Sequence, residues 1–215
     1  MNKIALEEHF AIDEYNGLPG PAFLAADVLD DVRRRIVDVD RIRLPEMDRN
    51  GIDYAIISLT SPGIQGETDA DIAVNRARAA NDTLAASISA HLDRLGGFAA
   101  IPLQNVEAAV TELDRCVTEL GFHGALINSY TSCDGPGGVA YLDEPHFAPF
   151  WDEVQRLGVP IYLHPRQMIA GERTAIRDRP ELTGPVWEFT VDASATALRL
   201  ITSGLFDRYP SVNII

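Results

Sequence analysis

Cysteine is nearly absent: Cys116 and Cys133 are the only two in 215 residues, and their separation matches neither a disulfide framework nor a zinc-finger spacing. A reduced, cytoplasmic chain is the simple expectation. Positive charge is also short, with 18 Lys and Arg against 32 Asp and Glu and a formal net charge of -14. That balance argues against a nucleic acid or an anionic membrane as partner, because phosphate calls for a basic surface. No apolar run approaches the length of a membrane span. The first residues carry Lys3 and then a strand broken by Glu7 and Glu8, without the apolar core of a signal peptide. Phosphate-binding signatures are missing as well. No Gly-x-Gly-x-x-Gly opens a helix, and Gly135-Pro136-Gly137-Gly138 lacks the Gly-Lys-Ser/Thr ending of a phosphate loop. An anionic substrate would be repelled by the overall field, so its attraction must be local, from a metal or a few pocket arginines.

What is present is an ordinary globular composition, 46% hydrophobic and 23% charged, which leaves no case for disorder. The stretch Ile4–Phe10 begins as an apolar strand and ends in Glu7, Glu8 and His9. Side chains alternate along a strand, so Glu7 and His9 share a face and Glu8 takes the other. Such a carboxylate and imidazole pair suits zinc or manganese if more ligands arrive from elsewhere. Taken alone, the pair is weak evidence and reads first as a charged strand end meeting water.

The rest of the chain alternates strand and helix. The long loop 13–21 has the size of a lid or of a plain surface connection, and Phe23 after it reads first as a packing aromatic. Residues 24–50 have near-helical apolar spacing with a break expected at Pro45 and a stop at Gly51. Strands are expected at 54–59, 98–101, 124–127, 161–163 and 212–215. The helices between them cover 69–92, with Ile72, Ala79, Leu84 and Ile88 inward, then 105–120, 147–157 and 186–206. In the last helix Phe189, Leu198, Ile201 and Leu205 supply the apolar positions. His91, His123 and His146 read as surface or structural residues, and the loop 129–145 as a mobile cover. Asn128 and His164 each sit where a strand stops, and Arg166 follows two residues later. Arg166 is placed either to grip a substrate carboxylate or to make a structural ion pair.

Strict alternation with short apolar strands calls for a parallel sheet with right-handed crossovers. Two closures fit: an open doubly wound sheet, or a (β/α)8 TIM barrel, which needs eight strands and about 250 residues. Glu7, His9, Asn128 and His164 come from the first, fourth and fifth strands and converge only at a barrel mouth. The expectation is therefore an α/β barrel truncated after its sixth strand. In that setting Glu7, His9 and His164 become candidate metal ligands with positions left open for substrate.

Several segments resemble the γ-resorcylate decarboxylases of the amidohydrolase superfamily, in the same order and along the whole chain. They are Ile4–Phe10, 43–53 (R-L-P-E-M-D-R-N-G-I-D), 76–82 (R-A-R-A-A-N-D), 121–128 (G-F-H-G-A-L-I-N), 162–166 (Y-L-H-P-R) and 203–215 (S-G-L-F-D-R-Y-P-S-V-N-I-I). The resemblance implies one amidohydrolase-like barrel domain over residues 1–215. It also implies non-oxidative decarboxylation of an ortho-hydroxybenzoate such as 2,6-dihydroxybenzoate, a small aromatic acid. Glu7, His9 and His164 would hold one Mn2+ or Zn2+, with His164 serving catalysis as a metal ligand. Phe23 and Asn128 would lie against the substrate. A homodimer or homotetramer is implied too. Family members continue into a Gly-His-x-Gly-Glu segment and later supply an aspartate that ligates metal and delivers the proton; these 215 residues contain neither. Alternatives are a metal-dependent hydrolase of a lactone or amide on the same barrel, and a non-catalytic fragment.

Overall fold

Parallel pairing in chain order dominates the computed structural model, which describes residues 3–12, 24–135, 138–169 and 171–215. Strand β1 (Ile4–Phe10) pairs with β2 (Tyr54–Leu59), and β2 with β3 (Leu95–Gly97). An isolated parallel bridge, Ala99 to Ala125, leads on to β4 (Ala125–Asn128). Strand β4 then pairs in parallel with β7 (Ile161–His164), and a bridge from Ile161 to Ile214 adds a further segment. Neighbours in space are thus neighbours in sequence, without the reversal of order that marks a doubly wound sheet. Six parallel segments form part of a (β/α) barrel wall.

Between β4 and β7 lies a short antiparallel ribbon of β5 (Thr131–Ser132) and β6 (Val139–Ala140). The segment read as a mobile cover therefore carries paired structure. The third strand also lies earlier than the expected 98–101. Gly96 and Gly97 give no apolar signal, yet their backbone pairs with Ile56 and Ile57.

Helix α1 (Ala26–Val37) ends at Asp38, not at Pro45. The Asp38 carboxylate accepts the N–H groups of Arg41 (2.6 Å) and Ile42 (3.0 Å) and starts a π-helical turn, Val39–Arg43. Pro45 sits in the first turn of α2 (Leu44–Asn50), where its missing N–H costs nothing. Gly51 closes α2 in the left-handed region at φ 62°. Asp69 caps α3 (Ala70–Ser89), and Asn105 caps α4 (Val106–Thr118).

The outward side chains of the wall, among them Ala55, Ile57, Leu59, Ala125, Ile127 and Ile161, are buried in one apolar core. Helix α3 meets that core with Ala73, Ala77, Ala80, Leu84 and Ile88, whereas Ile72 is exposed. Small alanines bring this helix close to the sheet, so size is a poor guide to its inner face. Leu113 of α4 and Phe150, Trp151 and Val154 of α5 (Ala148–Leu157) complete the layer.

Helix α6 (Glu188–Thr202) is followed by the short α7 (Leu205–Arg208), where Leu205 is buried as expected, but Leu198 and Ile201 of α6 are not on the inner face. Leu198 and Ile201 are exposed, and the buried stripe is Glu188, Asp192, Thr196 and Leu200. The physical reason is that this stripe meets backbone N–H groups of the connection between β7 and the helix. Glu188 accepts the N–H groups of Met168 and Gly184, and Asp192 accepts that of Arg166. Among the described residues no helix is long and apolar enough to cross a membrane.

Candidate metal centre

Parallel pairing puts the C-terminal ends of β1, β2, β4 and β7 on one rim. Tyr54 and His123, whose hydroxyl and Nε2 lie 3.1 Å apart, mark the opposite one. On β1, Glu8 turns away from the barrel and meets Arg43, with NH1 to Oε2 at 3.1 Å. Arg43 also donates to the backbone carbonyl of His9. These contacts pin the strand with Glu7 and His9 on its inner face. Period-two alternation on β7 puts Tyr162 and His164 inward as well.

The two inner faces meet. The rings of His9 and His164 pack edge to face with centroids 4.9 Å apart. His164 Nε2 lies 3.7 Å from Glu7 Oε1, too long for a hydrogen bond. One donor atom from each of Glu7, His9 and His164 lies within 4.8 Å of the other two.

A neighbour occupies the second heteroatom of each side chain. Tyr162 donates its hydroxyl to Glu7 Oε2. Ser58 Oγ is 3.2 Å from His9 Nδ1, and Asn128 Oδ1 is 3.0 Å from His164 Nδ1. By elimination Glu7 Oε1 and the two Nε2 atoms remain for a common ligand.

Burial, with the adjoining His164, lowers the His9 pKa to about 4, and burial also lowers that of His164. Both rings are therefore neutral near pH 7 and offer lone pairs. Burial and the Glu7 carboxylate push the Tyr162 phenol up to about 12, so it stays a donor. A carboxylate and two neutral imidazoles aimed at one point suit a divalent first-row ion, in a set that leaves coordination positions open.

Two further expected site residues, Asn128 and Arg166, are held by contacts within the protein. Asn128 is buried, and its carboxamide is taken by His164 and Gln65. The Arg166 guanidinium donates to the carbonyls of Gln65 (2.9 Å) and Tyr130 (2.7 Å) and stacks 4.0 Å from the Tyr130 ring centroid. It ties together the loops after β2 and β4. Phe23 and the loop 13–21 lie outside the described residues. Ser58, Gln65, Tyr162 and Asp192 were not singled out from the sequence. Tyr162 had a signal, two residues before His164 on the same strand face. Ser58 had one as well, a polar residue inside an apolar strand. Gln65 and Asp192 had none, because their partners are distant in sequence.

Comparison with known proteins bears on the family and the fold. The amidohydrolase family model matches residues 9–215. A gamma-resorcylate decarboxylase of Rhodococcus jostii (strain RHA1) is 44% identical, over 100% of this chain and 66% of the relative. The crystal structure of a 2,6-dihydroxybenzoate decarboxylase complexed with 2,6-dihydroxybenzoate superposes with a TM-score of 0.95 at 42% identity, over 99% of this chain and 65% of the other. A dihydroxybenzoic acid decarboxylase from Polaromonas sp. JS666, with bound manganese and 2-nitroresorcinol, gives 0.95 at 41%, over 100% and 64%. The chain therefore spans just under two thirds of the length of these relatives. The barrel wall is of the TIM type that these structures share. With its family model matched from the first strand to the last, the chain belongs to the amidohydrolase family.

Proposed function

We propose that Glu7, His9 and His164 hold one divalent ion, manganese before zinc, and that the protein removes carbon dioxide without oxidation from an ortho-hydroxybenzoate such as 2,6-dihydroxybenzoate. The observation that carries the reading is the convergence of three donor atoms within 4.8 Å of one another, in side chains whose other heteroatoms have neighbours of their own. Relatives named for decarboxylation of this substrate class, one solved with manganese, support both halves.

When bound, the ion supplies Lewis-acid charge that attracts and orients the substrate's carboxylate and neighbouring phenolic oxygen. The chain's residues do the rest of the placing. Glu7 contributes the one negative charge in the donor set, which leaves net positive charge for an anionic substrate. Tyr162 holds Glu7 by one oxygen, and its ring packs 5.9 Å from that of the buried Phe98. Loss of carbon dioxide leaves an electron pair on the ring carbon that a proton must meet. The resemblance assigns that proton to an aspartate later in the family's sequence. The activity proposed is accordingly that of a protein that supplies such a donor.

The continuous apolar core supports residues 1–215 acting as a single barrel domain. The family resemblance supports a homodimer or homotetramer, and the scarcity of cysteine supports a cytoplasmic location. Carbon dioxide release from 2,6-dihydroxybenzoate, measured with and without added Mn2+, tests the reading. Metal-dependent hydrolysis of a lactone or amide, with no carbon dioxide released from 2,6-dihydroxybenzoate, would overturn it.

A further inference from the structure

Gln65, in the turn after β2, is 1% exposed, and its carboxamide makes three hydrogen bonds. Its Nε2 donates to the Ile101 carbonyl at 2.8 Å. Its Oε1 accepts both the backbone N–H and the side-chain Nδ2 of Asn128, each at 3.3 Å. The two backbone partners allow one polarity only. A carbonyl cannot donate and an N–H cannot accept, so Gln65 must present nitrogen to Ile101 and oxygen to Asn128. Asn128 must then turn Nδ2 to Gln65 and Oδ1 to His164.

Space is shaped for this arrangement. A Cβ at Gly63, where φ is +55°, would lie 2.7 Å from Asn128 Nδ2. Glycine leaves room for the amide nitrogen. At the far end, Asn128 Oδ1 lies 3.0 Å from His164 Nδ1 and can only accept. His164 must donate there, which removes the proton from Nε2.

We propose that Gln65 and Asn128 form a polarity relay that fixes His164 as the Nδ1–H tautomer, making Gln65 a positioning residue for the metal centre. The proposal rests on the reading of His164 as a ligand. Flipping Asn128 would set its Oδ1 against Gln65 Oε1, two acceptors in a buried site, and would turn His164 Nε2 into a donor unable to bind an ion. Removing Gln65 Oε1 removes the opposition to that flip.

The test uses the ion-free chain labelled with 15N-histidine. Long-range 1H–15N spectra read the His164 tautomer, and a separate titration reads Mn2+ affinity. The wild type is expected as Nδ1–H. Asn128→Asp keeps an acceptor toward His164 and should retain that form. Gln65→Met should transfer part of the population to Nε2–H and weaken Mn2+ binding by about 10–100-fold, the usual effect of losing a partner of a metal ligand. Nε2–H in the wild type or in Asn128→Asp overturns the relay, whether or not Gln65→Met folds. An unchanged tautomer in folded Gln65→Met overturns it too. A tautomer that shifts in a protein with no affinity for Mn2+ upholds the relay and defeats the metal reading. Tight Mn2+ binding with an indifferent tautomer does the reverse.

Discussion

Replacing Glu7 by Gln separates ion binding from folding, because the glutamate side chain is 53% exposed and makes its site contacts from the strand end. Gln keeps the shape and keeps an oxygen to accept the Tyr162 hydroxyl, so only the charge and the ligand oxygen change. A surface change of this kind alters intrinsic stability by about 0.5 kcal/mol or less. The linked effect is larger. An ion present at a hundred times its dissociation constant stabilises the native state by about 2.7 kcal/mol. For a domain of this size that corresponds to a rise in melting temperature of about 5–11 °C. Thermal unfolding by circular dichroism, with chelator and then across a Mn2+ series, reads both quantities. The wild type should show the concentration-dependent rise, and Glu7→Gln should melt like the ion-free wild type throughout the range that saturates it. Equal Mn2+-dependent shifts in both proteins would refute the assignment of Glu7.

Other expectations follow from single contacts. Ser58→Ala removes the hydroxyl beside His9 Nδ1 and should weaken Mn2+ binding by about tenfold or more in a competition titration. Asp192→Ala leaves the Arg166 N–H without its 2.9 Å acceptor and should cost about 1–3 kcal/mol in urea unfolding, with faster hydrogen exchange at the Arg166 amide. Ala77→Leu forces a larger side chain where α3 is fully buried and should cost about 1–3 kcal/mol by the same measurement.

The inner face of β1 was legible because side chains alternate along an extended backbone, and although the pairing with β2 shifts register between Ala5 and Glu8, Glu7 and His9 still fall together. His164 was legible for a related reason: an apolar strand that runs directly into a histidine delivers it to a rim. Alternation with helices indicated parallel strands, and the placing of Glu7, His9, Asn128 and His164 at strand ends favoured the barrel order over the doubly wound one. What hydrophobic pattern misjudged were faces whose partners are polar or small. Helix α6 hides Glu188, Asp192 and Thr196 because it meets loop N–H groups after β7 and the Ser129 hydroxyl after β4, and α3 hides alanines because it lies close to the sheet. The glycines of β3 pair through backbone alone, which periodicity does not register. Arg166, read as either a carboxylate grip or a structural ion pair, directs its guanidinium to the carbonyls of two loops and stacks on Tyr130.

Anomalous diffraction at the manganese edge, from crystals grown with Mn2+, addresses the metal centre most directly. One peak within bonding distance of Glu7 Oε1, His9 Nε2 and His164 Nε2 is the predicted result. A protein whose three side chains keep their present positions while manganese binds elsewhere, or not at all, would contradict it.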